Sequence, residues 1–121
     1  MKHKILIVDD APVLRLKVKN VLTQHGFEVV GEAADGVQAL AKYKELKPDL
    51  VTMDIVMPNR DGLGALEDIL QFNKAAKVIM LSAIDQRDSL LKAIQLGALD
   101  YVVKPFEDDR VIEAVKKALN T

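Results

Sequence analysis

Five short apolar runs, at residues 5–8, 29–33, 50–53, 78–81 and 101–103, punctuate the chain, and each is followed by a stretch with helical spacing. No other feature narrows the fold as much. Four of the five runs lack in–out alternation, which is how strands buried on both faces of a parallel sheet read. The intervening stretches carry apolar stripes three and four residues apart. Leu14, Val18, Val21 and Leu22 mark the first, and Val37, Leu40 and Ala41 the second. Leu63, Leu66, Ile69 and Leu70 mark the third, Leu90, Leu91 and Ile94 the fourth, and Val111, Val115, Ala118 and Leu119 the fifth. Pro12 suits a first helical turn, Gly26 and Gly97 suit helix ends, and Pro48 follows a helix ending near Leu46 and Lys47. The sum is a (βα)5 α/β chain. Right-handed crossovers then favour an open, doubly wound parallel five-stranded sheet with helices on both faces.

The 121 residues fit one domain, 1–121, with no linker, repeat or low-complexity segment to divide it. With 17 basic and 18 acidic residues there is no basic excess to favour nucleic acid and no polybasic stretch to favour a membrane surface. The apolar run after Lys4 is too short for a signal peptide or a membrane span. The chain has no cysteine, so disulfides, thiolate metal sites and redox dithiols are excluded.

In a doubly wound sheet, ligands bind beyond the carboxyl ends of the strands. The residues expected there are chemically loaded. Asp9 and Asp10 follow the first run, Asp54 closes the third, Ser82 and Ala83 follow the fourth, and Lys104 and Pro105 follow the fifth. Ala34-Asp35-Gly36, after the second, reads more simply as a helix N-cap. If the first and third strands are neighbours, three carboxylates converge. Two unit charges about 5 Å apart repel by roughly 3 kcal/mol at an effective dielectric near 20, so such a group needs counter-charge. Lys104 supplies one, and a hard divalent cation such as Mg²⁺ would supply more. That combination suits phosphoryl transfer to a carboxylate nucleophile, with the Ser82 hydroxyl as a donor to a phosphoryl oxygen. Taken singly, each residue has a structural reading. Asp9-Asp10 and Asp54 can cap turns, Ser82 can be a loop hydroxyl, Lys104-Pro105 a strand stop, and Tyr101 a packed edge-strand aromatic. Their shared position gives them weight as a set. His3 and His25 are read as surface residues without a role.

The motifs Ile5-Leu6-Ile7-Val8-Asp9-Asp10, Met53-Asp54-Ile55-Val56-Met57-Pro58-Asn59-Arg60-Asp61-Gly62, Leu81-Ser82-Ala83 and Tyr101-Val102-Val103-Lys104-Pro105-Phe106 together closely resemble bacterial response-regulator receiver domains of the CheY type, especially stand-alone chemotaxis regulators. The resemblance spans essentially the whole chain and implies the strand order 2-1-3-4-5. It implies that Asp54 is the phosphoacceptor and also a Mg²⁺ ligand, Asp10 a direct Mg²⁺ ligand, Asp9 the acidic neighbour that holds metal-bound water, and the Val56 backbone carbonyl a third protein ligand, with Mn²⁺ as an alternative ion. Ser82 matches the hydroxyl switch, Lys104 the lysine that pairs with the phosphoryl group, Tyr101 the aromatic switch, and Pro105 a proline typically preceded by a cis peptide. The implied output is a changed face made of the fourth helix, fifth strand and fifth helix. The implied partners are a sensor or chemotaxis histidine kinase and a downstream target such as a flagellar switch protein. The implied setting is a cytoplasmic monomer bound to neither nucleic acid nor membrane. The implied chemistry is self-catalysed phosphotransfer and autodephosphorylation, without turnover of a separate substrate. A receiver cut from a longer regulator fits the same motifs.

Three rival readings are weaker on particular residues. A haloacid-dehalogenase-type Mg²⁺ phosphatase needs a second acid two residues after its nucleophile, where this chain has Val56. An FMN-binding module needs a Ser/Thr/Gly-rich loop after the first strand, where this chain has Asp9-Asp10-Ala11-Pro12. A degenerate receiver would lack site residues that are all present here. Val56 and Ile84, two residues past Asp54 and Ser82, are apolar where fast-cycling relatives carry groups that help place water. A long-lived aspartyl phosphate is therefore expected. Val56→Asn should shorten its lifetime several-fold in a Mg²⁺-containing decay assay, and a variant that decays no faster counts against the idea.

Overall fold

Short apolar runs form the middles of the five- and six-residue strands of the computed structural model, which describes residues 2–121 apart from the side chain of Ile84. In chain order the elements are β1 (Lys4–Val8), α1 (Pro12–Gln24), β2 (Glu28–Ala33), α2 (Gly36–Leu46), β3 (Leu50–Asp54), α3 (Gly62–Phe72), β4 (Val78–Ala83), a short 3-10 turn (Ile84–Gln86), α4 (Arg87–Leu96), β5 (Asp100–Lys104) and α5 (Asp108–Leu119). The strands form one parallel sheet in the order β2-β1-β3-β4-β5, the order that the resemblance implies.

Continuous burial follows from position in the sheet. β3, at the centre, is buried along its whole length, β1 and β4 nearly so, and the edge strands β2 and β5 only in part. Helices cover both faces. Leu6, Val8, Val51, Met53, Val78 and Met80 pack under α2, α3 and α4, with Leu66 and Ile69 among the fully buried contributors. Ile5, Ile7, Leu50, Ile79 and Leu81 pack under α1 and α5. A fully buried aliphatic side chain stabilises by about 1.5–3 kcal/mol, so the two cores together hold the sheet between its helices.

Local signals place the helix ends. Asp35 and Asp61 accept the backbone N–H groups of Gln38 and Gly64, each at 2.8 Å, and so cap α2 and α3. Pro12 opens α1, as expected. Gly97, at φ +126°, ends α4 in a conformation that costs any other residue strain. Lys47 closes α2 at φ 47° without being glycine.

Two helix stripes differ from the sequence expectation. Val37 and Ala41 are exposed, and α2 instead buries Gly36, Ala39 and Tyr43, with Leu40 packed beside them. Small residues let α2 lie close to the sheet, so the most hydrophobic side chain on the helix is not on its buried face. Likewise α4 buries Leu90 and Ala93 and leaves Leu91 and Ile94 outside. Leu66→Ala should cost about 3 kcal/mol in urea unfolding. Val37→Ala should stay within about 0.5 kcal/mol, and a larger loss there would restore the original stripe.

Candidate functional site

Strand register brings the acidic residues together. β1 and β3 are paired with Val8 opposite Met53, so Asp9 and Asp54 leave adjacent strand ends. Carboxylate oxygens of Asp9, Asp10 and Asp54 all lie within 4.8 Å of one another. Asp9 and Asp54 are buried and Asp10 is exposed. Lys104 closes β5 opposite Ala83. β3 and β5 stand two strand spacings apart, roughly 10 Å, so the lysine must reach across the end of β4. Its Nζ lies 3.0 Å from Asp9 Oδ2 and 3.5 Å from Asp54 Oδ1.

The three acids have different surroundings. Asp9 has partners on every polar atom. Its N–H donates to the Ala33 carbonyl at 3.0 Å, Oδ1 accepts the Ala11 N–H at 2.8 Å, and Oδ2 accepts from Lys104. Its carbonyl accepts from Arg15 Nη1 at 2.6 Å. Asp54 Oδ1 accepts the Ile55 N–H at 2.8 Å. Burial pushes the Asp54 carboxyl above its ordinary range, Lys104 pulls it back, and the neighbouring Asp9 charge pushes it up again.

The donor set fits a hard cation. Octahedral oxygen ligands at about 2.1 Å from Mg²⁺ lie about 3–4.2 Å apart. A spread of 4.8 Å therefore accommodates two direct carboxylates, with the third acting through a water. Oxygen-only ligands, one of them open to solvent, favour Mg²⁺ or Mn²⁺ over softer ions.

The remaining expected residues lie around this cluster. Val56, two residues past Asp54, exposes its side chain. Ser82 is fully buried inside β4 rather than after it, and its hydroxyl donates to Gln86 Oε1 in the 3-10 turn. The structure thus couples Ser82 to Gln86 and not to the carboxylates. Tyr101, in β5, lines a cleft of about 210 Å³ with Arg87, Leu90, Leu91 and Val103. The Lys104-Pro105 peptide is cis. His3 and His25 are exposed, and His25 Nδ1 sits 2.8 Å from the Val21 carbonyl at the end of α1. The side chain of Ile84 lies outside the described residues.

Sequence reasoning missed the supports of this site. Asn59 sits at φ 65° and donates to Asp35 Oδ2 at 2.7 Å, while the Gly36 N–H donates to the Arg60 carbonyl at 2.8 Å. Asp35 therefore caps α2 and also pins the loop after Asp54. Both contacts hold its carboxyl below its ordinary range, the Gln38 N–H more than Asn59. Asn is enriched at positive φ, so Pro58-Asn59 did carry a readable turn signal. At Gly62 a Cβ would run into the Asp54 carbonyl, so only glycine lets α3 start this close to the end of β3.

Comparison with known proteins agrees. Residues 5–116 match the model of the response regulator receiver domain. The chain is 55% identical to the chemotaxis protein CheY of Bacillus subtilis, over 99% of this chain and 100% of that one. It is 48% identical to the CheY of Thermotoga maritima, over 97% and 98% respectively. It superposes on a chain in the crystal structure of the CheX-CheY-BeF3-Mg+2 complex from Borrelia burgdorferi with a TM-score of 0.91 at 36% identity, covering 95% of this chain and 87% of that one.

The Asp54 carboxyl is raised in the folded state, so its ionisation costs stability. The stability of the protonated form is fully present below the ordinary carboxylate pKa and is lost as pH rises through the raised one. Asp54→Asn should therefore be more stable than the parent near neutral pH, by about 1 kcal/mol, from relief of carboxylate repulsion and burial. The gap should narrow as the medium is acidified. Urea unfolding across pH checks this, and a variant less stable at neutral pH would contradict it.

Proposed function

The chain belongs to the response regulator receiver family, and we propose that residues 1–121 act as one phosphorylation switch with Asp54 as the acceptor. As a member of that family it is a CheY-like receiver of two-component signalling. The observation that carries the finer reading is the meeting of Asp9, Asp10 and Asp54 at the carboxyl end of the sheet, with Lys104 between Asp9 and Asp54.

The chemistry follows from what each side chain can do. Asp54 has only a small part of its surface open to solvent and a backbone donor on Oδ1. A carboxylate oxygen of Asp54 attacks phosphorus in line, the bond from phosphorus to the imidazole nitrogen of a kinase phosphohistidine breaks, and the imidazole leaves with the electron pair. Lys104, already between Asp9 and Asp54, moves its charge onto the incoming phosphoryl oxygens. Asp10, Asp54 and the Val56 carbonyl would hold Mg²⁺ or Mn²⁺, with Asp9 acting through metal-bound water. When bound, the ion supplies Lewis-acid counter-charge to the phosphoryl oxygens.

The switch is a population shift. The Ser82 hydroxyl leaves Gln86 for a phosphoryl oxygen, and Tyr101 turns from the rim of its cleft toward the vacated space. The α4-β5-α5 surface then changes its preferred partner. Chemotaxis, a chemotaxis or sensor histidine kinase as donor and a flagellar switch protein as target are the assignments favoured by CheY-named relatives. A cytoplasmic, monomeric setting without nucleic acid goes with that reading. No described helix is long and apolar enough to cross a membrane. The chain acts as a switch rather than a turnover enzyme, performing only its own phosphotransfer and dephosphorylation.

Incubation with a small-molecule phosphodonor should add a phosphoryl group detectable by intact mass, dependent on Mg²⁺ and absent in Asp54→Asn. Lys104→Ala should cut the rate by at least tenfold. Modification that persists in Asp54→Asn, or that needs no divalent cation, would overturn the assignment.

A further inference from the structure

Arg15 touches the acidic cluster without being one of its acids. The ladder between β1 and β2 ends at Asp9, whose N–H donates to the Ala33 carbonyl. The carbonyl of Asp9 is taken up by Arg15 Nη1 at 2.6 Å. That carbonyl and the N–H of Asp10 belong to one rigid peptide plane, so fixing the first fixes the path into Asp10. Asp9 itself is held by Lys104 and Ala11. Asp10 is exposed, and that plane fixes the place of its Cα, from which the carboxylate reaches the cluster.

The guanidinium is itself braced. Arg15 Nε lies 3.2 Å from Glu32 Oε1 on β2, and Lys19 Nζ lies 3.7 Å from Glu32 Oε2. The Arg15 N–H closes the first turn of α1 on the Ala11 carbonyl at 3.0 Å. The side chain is largely covered. A fork that reaches one carbonyl and one carboxylate at once needs the planar arrangement of arginine donors, which lysine lacks.

We infer that Arg15 is a positioning residue for the cation site: by holding the Asp9–Asp10 peptide plane against β2 it aims the Asp10 carboxylate at the bound ion. This rests on the reading of Asp10 as a cation ligand. It also runs against simple electrostatics. Arg15 is a positive charge beside a site for a positive ion, so charge alone would make its loss tighten Mg²⁺ binding. Loss of aim makes binding weaker. The two effects have opposite signs, which makes the measurement decisive.

The test is Mg²⁺ titration of the intact chain by calorimetry, with melting of the Mg²⁺-free protein recorded for each variant. Arg15→Gln should bind Mg²⁺ about tenfold more weakly, the scale seen when a group that orients a metal ligand is removed. Arg15→Lys keeps the charge and should remain weaker than the parent. Glu32→Gln leaves Arg15 in place but loosens its brace, and should weaken binding by a smaller factor. Where Arg15→Gln fails to fold, Arg15→Lys, which keeps the charge and loses the fork, decides the matter. Unchanged or tighter binding in folded Arg15→Gln, or in Arg15→Lys where Arg15→Gln does not fold, overturns the inference. Asp10→Asn separates the layers. If it binds Mg²⁺ as the parent does, the Asp10 assignment fails and the inference with it. If it loses binding while Arg15→Gln does not, only the role of Arg15 falls.

Discussion

Lys104 between Asp9 and Asp54 is the contact on which the rest of the site depends. Without it two buried carboxylates would face each other at adjacent strand ends, with a third close by. A buried charge pair contributes little net stability, but removing one partner is costly because the other stays buried and unpaired. The lysine also has to come from β5, across the end of β4. The pair therefore ties four of the five strands into one requirement. β1 and β3 must be neighbours, β4 must end in a small residue, and β5 must stop at the right height.

The acids divide the work that this arrangement allows. Asp9 is saturated by partners of its own chain and acts as an anchor for Lys104. Asp10 stands in solvent, where an ion can arrive with most of its waters. Asp54 lies between, buried enough to raise its carboxyl but with a lysine to lower it again. α1 supports two sides of this arrangement. Through Arg15 it holds the carbonyl of Asp9, and through Lys17, which lies 4.9 Å from the centre of the Phe106 ring, it touches the loop that follows Lys104. The loop after Asp54 is held from elsewhere, by Asn59 on Asp35 and Arg60 on Asp68.

The sheet and the five strand-end residues were legible because each rests on a local rule. Buried parallel strands need unbroken apolar runs, and strand ends of a doubly wound sheet are where chemistry collects. The five runs and Asp9, Asp10, Asp54, Ser82 and Lys104 follow from these rules, while the strand order came from resemblance. The supports were not legible because they join residues far apart in sequence. Nothing around Arg15 names Glu32 as its partner, and nothing around Asp35 says that its second oxygen will hold Asn59. The stripes of α2 and α4 failed for a different reason. Closeness to the sheet selects Ala39 and Ala93 by size, whereas a hydrophobic stripe ranks Val37 and Leu91 above them.

Under the proposed switch, the same logic of partners accounts for an output at β5 that is read through side chains. β5 is an edge strand, and an edge strand with free backbone groups invites another strand to pair with it. At Tyr101 both groups are already occupied. Asp100 Oδ1 accepts the Tyr101 N–H at 2.7 Å, and Arg110 Nη2 donates to the Tyr101 carbonyl at 2.9 Å. Arg110 is in turn held near Asp100 and Glu113. The backbone of Tyr101 is thus closed to strand addition and fixed in place, while its ring stands half-exposed at the mouth of a cleft beside α4. Ser82, whose hydroxyl faces Gln86 just before α4, sits one residue along β4 from Leu81, the register partner of Asp54. In the proposed switch, a rearrangement at Asp54 would therefore meet a strand whose backbone is held at Tyr101 and whose ring alone faces the cleft, so a change in side-chain packing is the response this edge permits.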